Sequence, residues 1–500
     1  MSQLKVSDVK VKEKIPLFIN GEFVESTNNK TFDNLNPLTN EKLNVVYEGT
    51  KEDIDKAVKA ADAAFHGPWR TMKLKERLSI IHKIADLIDE HVKEISRLES
   101  IDTGLPIRQT KNMAHRAAEN FRFYAEMVSS HMVGEAYQVD QDYLNYTIHK
   151  PVGVTGIITP WNSPIMLSTW RIAPALATGN TVVLKPAEWT PLTADKLAEV
   201  MDQAGLPKGV FNVVHGFGET AGASLVAHPA VKLICFTGET VTGSEIMKNG
   251  ADTLKRYSME LGGKSPIIVF DDADLDRALD AAVWGIFSFN GERCTANSRL
   301  FLHESIKDEF VNRLKERVEH IVVGDPLDEK TDVGPLIHDK HYQKVKGFLD
   351  EAEKQGLEMF SGQLPAEYPN GHFVPPTVIL DVSNDSIFAQ QEIFGPVLTV
   401  MTFKEEEEVI KWANDVKYGL AGYVWTKDIQ RGHRISQAID AGMIWINSQN
   451  VRDLRVPFGG SKYSGIGREG GHYIFDFYTE RQVIHVALGE HHIPKFGVEK

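Results

Sequence analysis

The sequence predicts an α/β protein made of two parallel-sheet α/β domains plus a β-arm for oligomerisation. Three observations predict it. From 152 to 270, short apolar runs alternate with helical stretches, the pattern of a parallel sheet covered by helices on both faces. After 264 the same alternation restarts and continues to 447. Between helical regions, residues 140–150 alternate polar and apolar until Pro151-Val152-Gly153 breaks them, and 482–488 alternate again in the tail. The expected bounds are 1–130 with 151–262 for the first domain, 263–478 for the second, and 131–150 with 479–500 for arm and tail.

In chain order, residues 1–16 are polar and read as a loose arm. Residues 19–24 place two apolar pieces around Asn20-Gly21, a hairpin signal. Apolar residues recur at helical spacing over 51–65, 74–101 and 112–129, the last carrying Arg116. Strands are expected at 154–159, 181–184, 210–215 and 231–236. A helix at 193–204 is closed by Gly205-Leu206-Pro207. In the second domain, strands at 266–270 and 299–303 alternate with helices at 274–289 and 305–320, and similar pairs run on to 442–447.

The net charge of −14 argues against non-specific attraction to nucleic acid or to an anionic membrane. It also means that an anionic ligand needs local arginines. No run of 18 apolar residues is present, and the first residues lack a signal-peptide core, so a cytoplasmic soluble protein is expected. His338/His341 and His491-His492 have no partnering cysteine or carboxylate at ligand spacing, so no metal is expected.

Two cysteines, 59 residues apart in unlike settings, do not make a disulfide framework. Cys235 lies in the run Val231–Phe236 and reads as a small buried hydrophobe. Cys294 follows a helical run ending in Asn290-Gly291 and has polar neighbours on both sides. Such a thiol is either a nucleophile or incidental. Gly216-Phe-Gly218 through Gly222, and Gly238 through Gly243, stand at strand ends, where ligands of parallel sheets bind. Each is either a phosphate contact or a tight turn.

Five ordered motifs then carry a resemblance. They are Thr159-Pro-Trp161-Asn162-Ser-Pro164, Met259-Glu260-Leu-Gly-Gly-Lys264, Phe289-Asn-Gly-Glu-Arg-Cys294-Thr295, Glu392-Ile-Phe394-Gly-Pro396 and Pro457-Phe-Gly-Gly460. Together they resemble the NAD(P)-dependent aldehyde dehydrogenase superfamily over roughly 17–488. The resemblance implies an aldehyde dehydrogenase-like fold. Its NAD-binding Rossmann-like domain is 1–130 with 151–262, and its catalytic domain is 263–478. It implies Cys294 as nucleophile, Glu260 as general base and Asn162, with the Cys294 backbone N–H, as oxyanion donor. It assigns NAD contacts to Trp161, Lys185, Glu188, Gly218, Gly238, Glu392 and Phe394. Glu188 should repel a 2′-phosphate, which favours NAD over NADP. Glu239 departs from the family, which usually has Ser or Gly there. Homodimers or homotetramers follow from the same resemblance, through the arm and tail.

The segment Asn450-Val-Arg452-Asp453-Leu-Arg455-Val-Pro457 resembles the muconate-semialdehyde branch, with further likeness at 102–112, 287–295, 447–455 and 494–497. The branch implies a carboxylated aldehyde substrate and a place in aromatic-compound catabolism, in 4-hydroxyphenylacetate degradation. Arg116, Arg455 and Arg452 are then the candidate substrate residues, since Arg clasps a carboxylate through two parallel hydrogen bonds. The alternative is that these arginines pair with Asp453, with other acids or with a partner subunit.

Overall fold

The structure is a computed structural model that describes residues 5–497. The outermost parts of two expected segments, 1–4 and 498–500, lie outside the described residues. Five parallel strands form the first sheet: β1 (Val154–Ile158), β2 (Thr181–Lys185), β3 (Phe211–Val213), β4 (Val231–Thr237) and β5 (Arg256–Glu260). Their order is β3-β2-β1-β4-β5. β1 and β2 are buried along their whole length, as continuous apolar runs in a sheet covered on both faces require. The hairpin Leu17–Ile19/Glu22–Val24 closes the β3 edge, with Asn20 and Gly21 at φ 54° and 73° in its turn. The strand order reverses between β1 and β4, so a crevice opens beyond their carboxyl ends.

Helix α1 (Ile107–His131) packs on α2 (Pro164–Ala177), which follows β1, and α3 (Thr240–Gly250) follows β4. The helix expected over 74–101 is two, Leu74–Glu90 and Val92–Thr103, broken at His91. Both halves pack on α1. The N-terminal segment is not loose over its whole length. Lys14–Ile15 pairs in parallel with Lys42–Tyr47, Ile15 is 1% exposed, and Lys12 bridges Asp195 and Glu199.

The second sheet holds β6 (Pro266–Val269), β7 (Arg299–His303), β8 (Val397–Phe403), β9 (Ala421–Trp425) and β10 (Met443–Ile446), in the order β8-β7-β6-β9-β10 and all parallel. Thr377–Ile379 and Met359–Ser361 extend it beyond β8. Helix α4 (Leu275–Phe287), capped by Asp274, connects β6 to the stretch holding Cys294. The chain does not keep the expected 263–478 segment wholly on this sheet. Gly465–Ile466 pairs with β5, and Phe458, Ile474, Phe475 and Tyr478 join the first domain's core. These residues carry the apolar area that the open edge of the first sheet needs covered.

Ala136–Val139, Tyr143–Pro151 and Thr479–Ala487 form a separate three-stranded antiparallel sheet. The tail strand begins at 479, where 482–488 was expected, and pairs with the arm of its own chain. Among the described residues, no helix is long and apolar enough to cross a membrane.

Candidate active site

The loop bearing Cys294 is shaped by three successive left-handed residues, Phe289 (φ 57°), Asn290 (φ 56°) and Gly291 (φ 72°). Side chains hold this costly backbone in place. Asn290 donates from Nδ2 to the carbonyls of Gly104 (3.1 Å) and Pro335 (3.0 Å) and accepts the Gly334 N–H (2.7 Å). The Phe289 N–H donates to Gln109 on α1 at 2.7 Å. Cys294 is thereby aimed across the crevice at the ends of β1 and β5.

Those ends supply Asn162 and Glu260. Asn162 stands four residues beyond β1, and its Nδ2 donates to the Glu292 carbonyl at 2.8 Å. One amide hydrogen is spent; the second remains. The Cys294 backbone N–H has no acceptor among the described residues. Glu260 ends β5, is 6% exposed, and neither of its oxygens has a hydrogen-bond partner. Burial pushes its carboxyl up to about 8, offset in part by Arg171. Gly263 is required beside them, because a Cβ there would meet the Cys294 carbonyl at 2.4 Å. The Cys294 thiol reaches the cavity but is otherwise enclosed. Burial pushes it up to about 12, with Glu260 and Glu392 adding to the rise and Arg293 and Arg452 opposing it. Cys235 is the buried hydrophobe expected, within 3.3 Å of the Tyr478 hydroxyl.

Two cavities meet at these residues. Cys294, Glu260, Asn162, Leu167 and Thr237 line both. The larger, of about 280 Å³, is bounded by α1, α2, the Cys294 loop and the 450–458 loop. Arg116 and Arg452 line it. Arg452 lies over Trp170 and Phe458, 4.2 and 4.0 Å from the ring centres, and burial and Arg116 pull it down to about 9. Neither Arg116 nor Arg452 has an ion-pair partner among the described residues. Arg455 does not join them. It is exposed and fastened to Asp453 through Nε and Nη2, at 2.9 and 2.6 Å. The alternative of pairing with Asp453 therefore describes Arg455. Also lining the cavity, Arg171 forms a buried ion pair with Glu469 and donates to Ser258 at 2.8 Å. No local pattern marks that pair, since 298 residues separate its members. Arg293 also lines the cavity, and its place beside the cysteine was readable in the sequence.

The second cavity, of about 150 Å³, is lined by Trp161, Gly238, Glu239, Gly262, His341, Lys344, Glu392 and Phe394, besides the shared residues. Trp161 and Phe394 meet edge to face, 5.4 Å apart, and His341 donates from Nε2 to the Phe394 carbonyl at 2.7 Å. Glu392 accepts the Gly263 N–H at 2.8 Å. A Cβ on Gly262 would meet its other oxygen at 2.3 Å, so only glycine lets this carboxylate approach. Gly238 precedes α3, whose N-terminal N–H groups favour an anion. Glu239 is largely exposed and turns toward Lys344, 3.9 Å away. At the end of β2, Lys185 holds Glu188 at 3.2 Å. Gly218 does not line the cavity; it starts the turn 218–222, whose Gly222 approaches Lys185. Sequence reasoning missed His341 and Lys344, which lie on a helix far from any glycine motif. Aromatic walls, a carboxylate suited to ribose hydroxyls and a helix N-terminus suited to pyrophosphate fit a dinucleotide.

The comparisons with known proteins agree with this geometry. The model of the aldehyde dehydrogenase family matches residues 23–484. The 5-carboxymethyl-2-hydroxymuconate semialdehyde dehydrogenase of Escherichia coli is 49% identical over 92% of this chain and 98% of that protein. The 2-hydroxymuconic semialdehyde dehydrogenase of Pseudomonas sp. (strain CF600) is 43% identical over 95% of this chain and 100% of its own. The NAD+ complex of an aldehyde dehydrogenase from Bacillus cereus superposes with a TM-score of 0.93. It is 43% identical and covers 96% of this chain and 100% of its own.

Proposed function

The chain belongs to the aldehyde dehydrogenase family and is an aldehyde-oxidising oxidoreductase; from that premise we propose that it oxidises a carboxylated semialdehyde with NAD. The leading substrate is 5-carboxymethyl-2-hydroxymuconate semialdehyde, in the degradation of 4-hydroxyphenylacetate. The observation that carries this reading is the pair Arg116 and Arg452, two cations without anionic partners in the cavity in front of Cys294. Both are half-buried, and a partly desolvated cation gains from a ligand that supplies the counter-charge.

Cys294 loses its proton to Glu260, the nearby base, and its thiolate attacks the aldehyde carbon. The resulting oxyanion accepts hydrogen bonds from the free Asn162 N–H and the Cys294 backbone N–H. Bound among Trp161, Gly238, Glu392 and Phe394, with Lys185 and Glu188 at the far ribose, NAD supplies the hydride acceptor, and a thioester on Cys294 remains. Once Glu260 has released the first proton to solvent, it takes a proton from water, the hydroxide attacks the thioester, and the acid leaves as the thiolate returns. Glu188 also disfavours a 2′-phosphate, so NAD is preferred over NADP.

2-Hydroxymuconate semialdehyde is the second reading, favoured by the relative of that activity. Betaine aldehyde fits poorly, since a cavity with unpaired guanidinium groups repels a quaternary ammonium. We further propose a homodimer or homotetramer built through the three-stranded arm, where Tyr137, Val139 and Val483 are exposed. A cytoplasmic setting keeps the catalytic thiol reduced. The test is a kcat/KM panel of the two muconate semialdehydes, betaine aldehyde and a simple aliphatic aldehyde. The carboxylated pair should lead by about 10–100-fold, the range expected for charged hydrogen bonds. Equal values across the panel would refute the reading.

A further inference from the structure

Arg116 and Arg452 do not account for every cation in the cavity. Arg293 is 9% exposed and lines it too. Its Nη2 donates to the Gly285 carbonyl at 2.9 Å, but its buried Nε and Nη1 find no acceptor. No carboxylate pairs with it among the described residues. Its guanidinium lies over Trp284 and Phe289, 4.6 and 5.6 Å from the ring centres.

This repeats the arrangement of Arg452 on Trp170 and Phe458, on another wall. Trp284 belongs to the last turn of α4 and Phe289 to the Cys294 loop, whereas Trp170 is on α2. A guanidinium stacked on rings keeps its N–H edge free for a planar acceptor. An unmet buried donor is unfavourable, more so when charged, so a ligand that completes it is favoured. The neighbourhood has further unmet groups. Asn450, another lining residue, has a buried Oδ1 without a donor, and Gln449, packed beside Gly285, has both amide atoms unmet.

We propose that this second stacked arginine is a subsite for a second substrate carboxylate, on a branch close to the aldehyde carbon. Arg293 directly precedes the nucleophile, so the carboxylate it takes lies near the reacting end. Arg116 and Arg452 take the other one. A semialdehyde with a carboxymethyl branch beside the aldehyde satisfies both pads; an unbranched one satisfies only the first. The inference rests on the proposed function, namely a carboxylated semialdehyde bound at Arg116 and Arg452.

The test compares wild type, Arg293→Gln and Arg293→Lys on branched 5-carboxymethyl-2-hydroxymuconate semialdehyde, unbranched 2-hydroxymuconate semialdehyde and a neutral aliphatic aldehyde. Arg293→Gln should lower kcat/KM for the branched substrate by about 10–100-fold. Its losses on the other two should be at least about tenfold smaller, and Arg293→Lys should recover part of the loss. Calorimetric titration of wild type with the branched and unbranched acid products supplies a second measurement, with tighter binding expected for the branched acid. That titration decides the matter if the variants do not fold. An equal loss on all three aldehydes, or equal binding of the two acids by wild type, overturns the subsite. If wild type does not prefer either carboxylated semialdehyde over the neutral aldehyde, the proposed function itself falls.

Discussion

The two cavities that meet at Cys294 are opposite in character. The larger presents guanidinium groups stacked on aromatic rings, with Arg171 alone among its arginines neutralised by an ion pair, to Glu469. The smaller presents glycines and the carboxylates Glu239 and Glu392, with Lys344 as its cation. In the proposed function Cys294, Glu260 and Asn162, which line both, make and break bonds, while residues lining one select a ligand.

The largest effects are expected on the shared wall. Cys294→Ala should abolish NADH production, and Asn162→Ala should lower kcat by about 10²–10³-fold, the usual cost of one oxyanion donor. Glu260→Gln should leave a slowed first turnover followed by arrest, seen as a stoichiometric burst without steady state. Steady turnover by that variant would exclude Glu260 as the deacylating base. In wild type, kcat should rise with pH and level off above about 8, where the Glu260 carboxyl ionises. The same shift bears on stability. Between the ordinary carboxyl range and about 8, the fold holds a proton that the unfolded chain releases, so stability falls as pH rises through that window. The Tm of Glu260→Gln should therefore match wild type at pH 5 and exceed it at pH 9. A pH-independent difference would contradict the shifted carboxyl.

On the arginine side, Arg116→Ala and Arg452→Ala should each raise KM for a carboxylated semialdehyde by about 10–100-fold. A neutral aldehyde should be much less affected. Similar losses on both substrate classes would turn these residues into wall supports and erase the contrast between the cavities. On the carboxylate side a smaller effect is expected. Glu188→Ala should narrow the NAD over NADP preference by about 2–5-fold, the worth of one partly exposed charge contact. An unchanged ratio would remove Glu188 from cofactor selection.

The fold was readable wherever the local pattern reports the local environment. Buried parallel strands such as 154–158 and 181–185 announce themselves as apolar runs, whereas their order in the sheet was not read from the sequence. Cys294, Glu260 and Asn162 became candidates only through the ordered motifs that resemble the family, since Cys294 by itself was either a nucleophile or incidental. What the sequence did not disclose depends on contacts made at a distance. The break at His91, the return of Gly465–Ile466 to the first sheet and the Arg171–Glu469 pair are set by tertiary packing. The direction of a loop side chain is equally hidden, as the arginines of the 450–457 loop show.

Arg452 and Arg455 are three residues apart on that loop, yet they meet different surroundings. Arg452 lies on Trp170 and Phe458, with no anion to satisfy it. Arg455 is turned outward by Asp453, which accepts from its backbone N–H at 2.9 Å and from its side chain, holding the Asp453 carboxyl down at about 2. An exposed pair of this kind contributes little, because solvent screens it. Arg455→Ala should therefore change kcat/KM for the carboxylated semialdehyde by less than about 2-fold, against the far larger loss expected of Arg452→Ala. Asp453→Ala sharpens the comparison, because it frees Arg455 without touching the cavity wall. If Arg455→Ala instead matches Arg452→Ala in its substrate-selective KM effect, the loop must turn Arg455 inward when substrate binds, and the clasp then holds three arginines instead of two.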